Sequence, residues 1–292
     1  MKVIAAAAAA ALLSGSAMAA DIYSAPAAIT TSQEVSNIVG EVSLWVGAGF
    51  LEPAADSFSA DTVFSFGGDG RAAWDMGNGY SLQFEAQGRG GFDYDPSDDD
   101  NQLAYGATAV HGFMRNGSNA YGGYASLYGG GNVDANDASY WLGGALEAAS
   151  FMGSGTLFGQ LGGGVLIGGT DSADNHYFAR GGWRHFYNDY TTLEIDGLVG
   201  GYTGTSDEGD GWYANWGAEL EHQYMDTPFA AFIAYRGYYL DQPDPGDSST
   251  TIAEHVIKVG ATLRFGGNAR TVDHYMPFNV ADHSNLLFID DL

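Results

Sequence analysis

The amino-acid sequence predicts an all-β fold, a transmembrane up-and-down antiparallel β-barrel of about twelve strands. Segments that alternate apolar and polar residues recur along the chain, the connections between them alternate between short and long, and an export signal precedes them. We therefore expect most of the chain, residues 41–266, to form the barrel. The expected strands are 41–50, 62–76, 80–94, 102–114, 119–130, 139–151, 156–168, 176–187, 191–202, 212–224, 229–240 and 253–265.

The clearest pair of strands flanks the turn at 77–79, Gly-Asn-Gly. These residues favour the positive φ angles that a tight hairpin needs. Downstream of the turn, apolar and polar residues alternate strictly, as in a strand with two different faces. A three-residue loop pairs Met76 with Tyr80 and places Arg71 opposite Glu85 on the polar face. Turn and charge pattern therefore predict the same register.

The connections fall into two kinds that alternate along the chain. In an up-and-down meander this places all the short turns at one end and all the longer, acidic loops at the other, as in transmembrane barrels with short periplasmic turns. Both termini then lie on the periplasmic side. The short turns are 77–79, 116–118, 153–154, 188–190 and 226–227, and the acidic loops are 52–61, 95–100, 132–138, 169–175, 203–211 and 241–251.

The N-terminus reads as a cleaved signal peptide, residues 1–19. A basic start at Lys2 precedes an apolar run, Val3 to Leu13, and an A-x-A cleavage site ends at Ala19. The run is too short for a membrane-spanning helix, which needs about 20 apolar residues. Residues 20–40 show no periodicity and are expected to be a flexible periplasmic lead-in.

The amino-acid composition excludes several classes of function. The chain has 36 acidic residues against 10 Lys plus Arg, a formal net charge of −26, which argues against nucleic acid as a partner. It has no Cys, which excludes disulfides and zinc thiolate sites. Its 44 Gly and many aromatic residues suit closely packed strands and interfacial rings.

The apolar strand faces should meet lipid. Leu157, Leu161 and Val165 share one parity, as do Ile257, Val259 and Leu263 near the end of the chain. Aromatic residues near strand ends should form belts at the two lipid headgroup regions. A soluble β-sandwich is the alternative for such faces. The expected belt residues are Phe92, Tyr94, Trp141, Phe151, Tyr187, Tyr190, Tyr202, Trp212, Tyr224, Phe229, Tyr239 and Phe265.

The last predicted strand, Ile257 to Phe265, resembles the closing strand of bacterial outer-membrane β-barrels and porins. Such strands alternate apolar residues and end in an aromatic residue. The resemblance covers nine residues and implies outer-membrane localisation, with lipid, lipopolysaccharide and the barrel-assembly machinery as partners. In this chain residues follow Phe265, unlike in that pattern.

If the apolar faces meet lipid, the polar faces meet the lumen. Turn lengths predict that Arg184 lies opposite Glu194, with Asp196 diagonal to Arg180, and that Glu219 lies diagonal to Arg236. Nearly all the basic residues of the chain fall on these faces. The candidates for a charged, selective pore lining are Arg71, Glu85, Arg89, Glu147, Arg180, Arg184, Glu194, Asp196, Glu219, Glu221, Arg236, Lys258 and Arg264.

These observations predict a porin-like channel for passive diffusion of small hydrophilic solutes, without cofactor, metal or catalytic residues. Rings of charged side chains set selectivity in pores. The alternative is a closed barrel filled by its interior ion pairs, because twelve strands lie between filled and open barrels. A barrel hydrolase is less favoured, since no Ser of matching parity accompanies the outward His185, His222 and His255. Divalent cations bridging the acidic loops to lipopolysaccharide remain a hypothesis.

Residues 267–292 are expected to be a C-terminal periplasmic tail. The simplest reading is a disordered extension. The alternative is a segment that docks in the lumen or on a periplasmic partner.

Overall fold

The computed structural model describes residues 38–53, 61–93, 102–132, 138–169, 173–203, 210–225, 227–242, 250–284 and 286. The predicted signal peptide, most of the lead-in and part or all of each acidic loop lie outside these ranges. Twelve antiparallel strands pair in chain order, and the last pairs with the first to close a barrel. The strands are β1 Ile38–Pro53, β2 Asp61–Gly77, β3 Tyr80–Asp93, β4 Gln102–Asn116, β5 Asn119–Asn132, β6 Ser139–Met152, β7 Gly155–Gly168, β8 Asn175–Asn188, β9 Thr191–Thr203, β10 Asp210–Gln223, β11 Phe229–Gln242 and β12 Thr250–Phe265.

The predicted all-β barrel and its strands are confirmed. The largest differences in strand bounds are at β1, which begins at Ile38 rather than residue 41, and at β12, which begins at Thr250 rather than 253. Residues 38–40, predicted as part of the lead-in, therefore belong to the barrel wall. Closure satisfies the backbone of every strand without leaving a sheet edge, as a lipid environment requires.

The turn at Asn78 and Gly79 follows the sequence prediction except at one residue. Arg71 faces Glu85 in the ladder, but a β-bulge between Asp75 and Gly77 leaves Gly77, rather than Met76, opposite Tyr80. Gly77, Asn78 and Gly79 all have positive φ, at 82°, 55° and 83°. The Gly-Asn-Gly sequence thus supplies three consecutive residues that tolerate the left-handed region.

The outer face of the barrel is apolar. Large hydrophobic side chains point outward on every strand, with Leu146 74% and Leu161 66% exposed. Lipid rather than water suits such a continuous surface.

The belt prediction is wrong for three residues. Trp141 and Tyr202 are 1% exposed and lie inside the barrel. Phe151 also points inward, where it packs against the buried cluster that contains Phe278. Odd-numbered residues of β6 and even-numbered residues of β9 point inward. This alternation decides the direction of these side chains, although they lie near strand ends.

The C-terminal segment, residues 268–284, enters the barrel. It begins with a short helix, α1 (Ala269–Tyr275), whose N-cap Asn268 accepts a hydrogen bond from the amide of Thr271. Residues 276–284 continue from α1 through the lumen, where Phe278 is fully buried. No helix among the described residues is long and apolar enough to span a membrane. For residues 268–284, the expectation of a disordered periplasmic extension is wrong.

Apolar anchors explain why the segment enters. Val272 and Met276 pack on Val39 and Ala73 near the short-turn end. Phe278 packs among side chains of β4 to β7, and a third cluster farther along the lumen contains Val280 and Ala281. Burying these side chains removes apolar surface from water, worth about 1.5–3 kcal/mol for each large one. The core of the protein therefore lies inside the barrel, between its wall and the C-terminal segment.

The charged lumen as candidate functional site

All thirteen predicted pore-lining residues face the lumen, and twelve of them border one cavity. The register creates this arrangement, because it sets side chains from neighbouring strands in rows. In one row Arg264, Glu41, Arg71 and Glu85 lie directly opposite one another on β12, β1, β2 and β3. Opposite charges alternate along this row, which is favourable across a ladder.

Glu41 is the centre of that row. Its carboxylate accepts from Nε of Arg71 at 2.7 Å and from Nε of Arg264 at 2.9 Å. Arg264 also pairs with Glu221. The predicted partnership of Arg71 with Glu85 is therefore wrong as an ion pair, although the register is right. Arg71 pairs with Glu41, its neighbour on the other side, and Glu85 binds the C-terminal segment instead.

The predicted pairs on β8 and β9 are confirmed. Nε of Arg184 lies 2.5 Å from Glu194, and Arg180 donates to Asp196 at 2.9 Å from its Nη2. Asp196 also accepts from Arg236 at 2.5 Å. Arg236 therefore pairs with Asp196 rather than with its predicted diagonal neighbour, Glu219.

Glu147 is the one candidate outside the cavity. Its carboxylate is fully buried and lies 3.1 Å from Nδ1 of His111. It also accepts from Gln160 at 3.2 Å, the residue directly opposite it on β7. Nε2 of His111 lies 3.4 Å from Glu85, so one imidazole bridges two carboxylates. Within this cluster His111 and Glu147 do not border the cavity, whereas Glu85 does.

Arg89 and Lys258 lie farther toward the end of the barrel with the long connections. Arg89 pairs with Glu254 and lies over the ring of Tyr238. The ammonium of Lys258 lies 4.1 Å from the ring centroid of Trp45 and 3.4 Å from the hydroxyl of Tyr238. Such cation–π contacts contribute about 0.5–2 kcal/mol each.

The cavity has a volume of about 200 Å³ and lies between the C-terminal segment and the wall. Its arginines are engaged by the ion pairs above, and Lys258 contacts Trp45 and Tyr238. Asp69 and Glu219 also border it, and with the described residues they form no ion pair. The lining therefore contains two carboxyl groups that are not paired with a cation among the described residues.

The wall holds the main chain of the C-terminal segment through hydrogen bonds to successive carbonyls. Those of residues 276 and 278 accept from Nη1 of Arg71 at 3.3 Å, and that of Phe278 also accepts from Gln83 at 2.8 Å. The carbonyl of Pro277 accepts from Arg184 at 2.9 Å. The carbonyl of Asn279 accepts from Gln160 at 2.8 Å and from Arg180 at 3.1 Å. Four consecutive carbonyls are thus bound by side chains of the wall.

Acceptors of the wall bind the amides that follow. Glu85 accepts from the amide of Val280 at 2.9 Å, and the hydroxyl of Tyr105 accepts from that of His283 at 3.4 Å. Asn215 donates to the carbonyl of residue 282 at 2.6 Å. The main chain of residues 276–283 is therefore contacted on both its donor and its acceptor groups.

Side chains of the segment add specific contacts. Asp273 receives a hydrogen bond from Thr156 at 2.6 Å and one from Arg184 at 2.6 Å. Asp282 accepts from the hydroxyl of Tyr238 at 2.9 Å. Burial alone would raise the pKa of Asp282, but the charges of Lys258 and Arg89 and hydrogen bonds from Ser284 outweigh it and hold the pKa at about 2.

His283 lies in an aromatic cage near the end with the long connections. Its ring centroid is 4.6 Å from that of His176 and 4.8 Å from that of Phe178, and Tyr128 and Tyr213 close the other sides. Burial, together with the charges of His176 and Arg180, lowers the pKa of His283 well below its usual range. His283 is therefore neutral in the docked segment.

Sequence reasoning missed Glu41 and the contributions of Asp273, Asp282 and His283. Glu41 had a signal, because β1 alternates from Val42 onward and places Glu41 on the inward face. The residues of the C-terminal segment had none. An irregular chain bound by side chains has no periodicity, so its docking depends on contacts that only the closed barrel creates.

The outward histidines show no catalytic arrangement among the described residues. Nδ1 of His222 lies 2.9 Å from the hydroxyl of Thr191, and Nδ1 of His255 lies 2.7 Å from that of Tyr235. The ring of His185 meets that of Tyr187 edge to face. Within the described ranges, no group of three His, Asp or Glu side chains is placed to hold a metal ion.

Comparison with known proteins gives a likeness of fold. No protein-family model and no curated protein matches the sequence. An outer membrane channel from Pseudomonas putida F1 superposes with a TM-score of 0.52 at 10% identity, covering 83% of this chain and all (100%) of that one. The translocator domain of the autotransporter NalP from Neisseria meningitidis gives 0.44 at 11% identity, covering 88% and 97%, and the KdgM porin gives 0.42 at 9%, covering 76% and 99%.

The chain has the fold of a bacterial outer-membrane β-barrel protein. Its closed ring of twelve strands carries the apolar outer face that fits this membrane. Its particular feature is a charged lumen that holds the C-terminal segment of the same chain.

Proposed function

We propose that the protein is an outer-membrane channel for small hydrophilic solutes, with a lumen narrowed by its own C-terminal segment. The observation that carries the proposal is the polar cavity between this segment and the wall. It is bordered by charged side chains of β1 to β3 and β8 to β12, and several of these, among them Arg71, Glu85 and Arg184, also bind the segment. A water-filled path along charged side chains is the arrangement that selects solutes by size and sign.

Passive diffusion is the simplest mechanism for such a path, and it uses no cofactor and no covalent chemistry. The signal peptide at 1–19 would direct export, with the barrel-assembly machinery inserting the strands. Lipid and lipopolysaccharide would then contact the apolar face and the loops. Enzyme activity forms no part of the proposal.

A closed barrel with a structural role is the second candidate. Three apolar clusters fill much of the lumen around the segment, and they favour this reading. A cavity of about 200 Å³ holds only several water molecules, which is small for a diffusion pore. The two candidates differ in whether solutes pass through the lumen at all.

Single-channel recording of the refolded protein in planar bilayers tests the proposal. The full chain should give small conductance steps, and removal of residues 268–292 should enlarge them several-fold. A matched variant would carry T156C and D273C joined by a short thiol crosslinker, which fastens α1 to β7. The full chain has no cysteine of its own, so the crosslink is specific.

The crosslinked protein should stay in the low-conductance state, and cleavage of the crosslinker should restore the behaviour of the uncrosslinked variant. Absence of steps in both the full and the shortened chain would favour the closed barrel. Equal conductance in the two would mean that the segment does not restrict the path. Liposome swelling with sugars of graded size would then give the exclusion limit.

A further inference from the structure

The C-terminal segment is bound in the manner of a peptide ligand. Its main chain forms no strand pairing with the barrel, and side chains of the wall contact its carbonyls and amides instead. Contacts to main-chain groups are available to any extended peptide of suitable length. Recognition of residues 276–283 therefore depends only in part on their sequence.

Two side-chain contacts supply the sequence-dependent part. Phe278 is fully buried and meets Phe113 edge to face, with ring centroids 5.5 Å apart. Four residues later, Asp282 binds the hydroxyl of Tyr238 and lies near Lys258 and Arg89. A matching peptide would have an aromatic residue followed at this spacing by an acidic one.

The connection to the barrel allows the segment to behave as a separate unit. Gly266 and Gly267 link β12 to α1, and Gly266 has a φ of +81°. A Cβ at Gly266 would lie 2.6 Å from the carbonyl oxygen of Ile38, so only glycine fits there. After this link the helix has its own N-cap, Asn268, and needs no hydrogen bond from β12 to begin.

We propose that the lumen wall of β2 to β4, β7 and β8, together with Asn215 on β10 and Tyr238 on β11, is a binding groove for an extended peptide, and that residues 276–283 are its tethered and exchangeable occupant. If the groove exists in a channel, exchange of its occupant would open and close the path. This consequence rests on the proposed channel function. A free peptide with the sequence of the segment should bind to the groove once the tethered copy has left.

The experiment uses the full chain with a protease site inserted between Gly266 and Gly267. The protein is refolded intact, and one half is then cleaved and washed in detergent. The probe is a fluorescently labelled synthetic peptide of residues 268–286, and its binding is followed by fluorescence anisotropy. The cleaved protein should bind the peptide saturably. The uncleaved protein should bind it far more weakly, because a tethered occupant competes at an effective concentration on the order of millimolar.

Peptide variants test the assigned contacts. A peptide carrying F278A should bind roughly 10- to 100-fold more weakly, because it loses the burial of one large apolar side chain. A scrambled peptide should not compete. In the barrel, Q83L removes a donor to the carbonyl of Phe278 and should weaken binding about tenfold, whereas G112A on the outer face should not change it.

Two results would overturn the proposal. One is retention of the cut segment through prolonged washing, with no uptake of labelled peptide. The other is equal binding of the scrambled peptide. Neither measurement requires current through a bilayer, so the groove can be shown in a barrel that does not conduct. Conduction without peptide binding would support the channel function and contradict the peptide-binding groove.

Discussion

Arg236 reaches Asp196 across an intervening strand, with Nη1 lying 2.5 Å from Oδ1. Between them, in the same row of the ladder, is Gly217 on β10. A Cβ on Gly217 would lie 2.6 Å from the Arg236 side chain. The missing side chain is thus what allows two charged residues on non-adjacent strands to pair.

Replacement of this glycine should break the pair. We expect G217V to displace Arg236 and lower the free energy of unfolding by about 1–3 kcal/mol, the usual cost of overpacking. The midpoint of thermal unfolding, followed by loss of β-sheet circular dichroism in detergent, measures the change. G112A is the matched control, because no atom lies within 4 Å of the Cβ position there. Equal melting of both variants would contradict the assigned role of Gly217.

Removal of the charge on Glu41 should cost more. E41Q leaves Arg71 and Arg264 without their shared carboxylate inside the barrel, and breaking a buried ion pair costs about 3–5 kcal/mol. Urea unfolding of the refolded variant measures the change. D75N is the control, because Asp75 pairs with Arg115 at a site where its side chain is 26% exposed. That variant should lose about 1 kcal/mol or less. A loss of similar size for both variants would argue against a central role for Glu41.

Acidification should release the C-terminal segment through His283. Burial and the charges of His176 and Arg180 lower the pKa of His283 in the docked segment, and the undocked side chain should have its usual pKa of about 6.5. The contribution of His283 to docking is then fully present above about pH 6.5 and is lost as the pH falls below it. In this range the docking equilibrium constant should fall about tenfold per pH unit.

Other groups act in the same direction. The pKa of His274 is lowered by burial and by Arg115, and that of Asp282 lies at about 2, so the latter weakens docking only below about pH 4. The measurement is the labelling rate of A281C, relative to free cysteine, between pH 7.5 and 5. In the variant that also carries H283F, the cysteine at position 281 should remain mostly protected from labelling as the pH falls. An equal acid response in H283F would show that other residues drive the release.

The cavity should prefer cations. Asp69 and Glu219 contribute to its lining two carboxyl groups that form no ion pair with the described residues, and these groups are negative when ionised. The arginines of the lining are engaged in ion pairs, and Lys258 contacts Trp45 and Tyr238. D69N and E219Q should each lower the cation-to-anion permeability ratio, because they remove negative charge beside the path. Reversal potentials in a KCl gradient at mildly alkaline pH measure this ratio. An unchanged ratio in the double variant would place the path elsewhere in the lumen.

The barrel wall could be predicted from the sequence because its rules are local. Alternation decides which side chains meet lipid, and turn length decides which residues are opposed, so Arg184 and Glu194 could be paired in advance. The choice of partner within a row could not be predicted. Arg71 has a carboxylate on each side, and its preference for Glu41 over Glu85 depends on the segment that engages Glu85.

The filling of the lumen could not be predicted for a related reason. Residues 276–283 alternate with no regular period, and their partners come from strands far apart in the sequence. Phe278 meets Phe113 across the lumen, a contact that arises only when β4 has curved around to face the segment. Strand patterns specify the closed wall, but they do not specify which side chains of the wall an irregular segment will contact.

The placement of the C-terminal segment after β12 has a consequence for the order of assembly. Its contacts extend from Val39 on β1 to Tyr238 on β11, so the docking site exists only when those strands are already joined. During insertion the arginines of the wall therefore face water before they face the segment. We therefore expect the outer wall to form first and the interior to fill last, whereas a soluble domain collapses around its apolar core early.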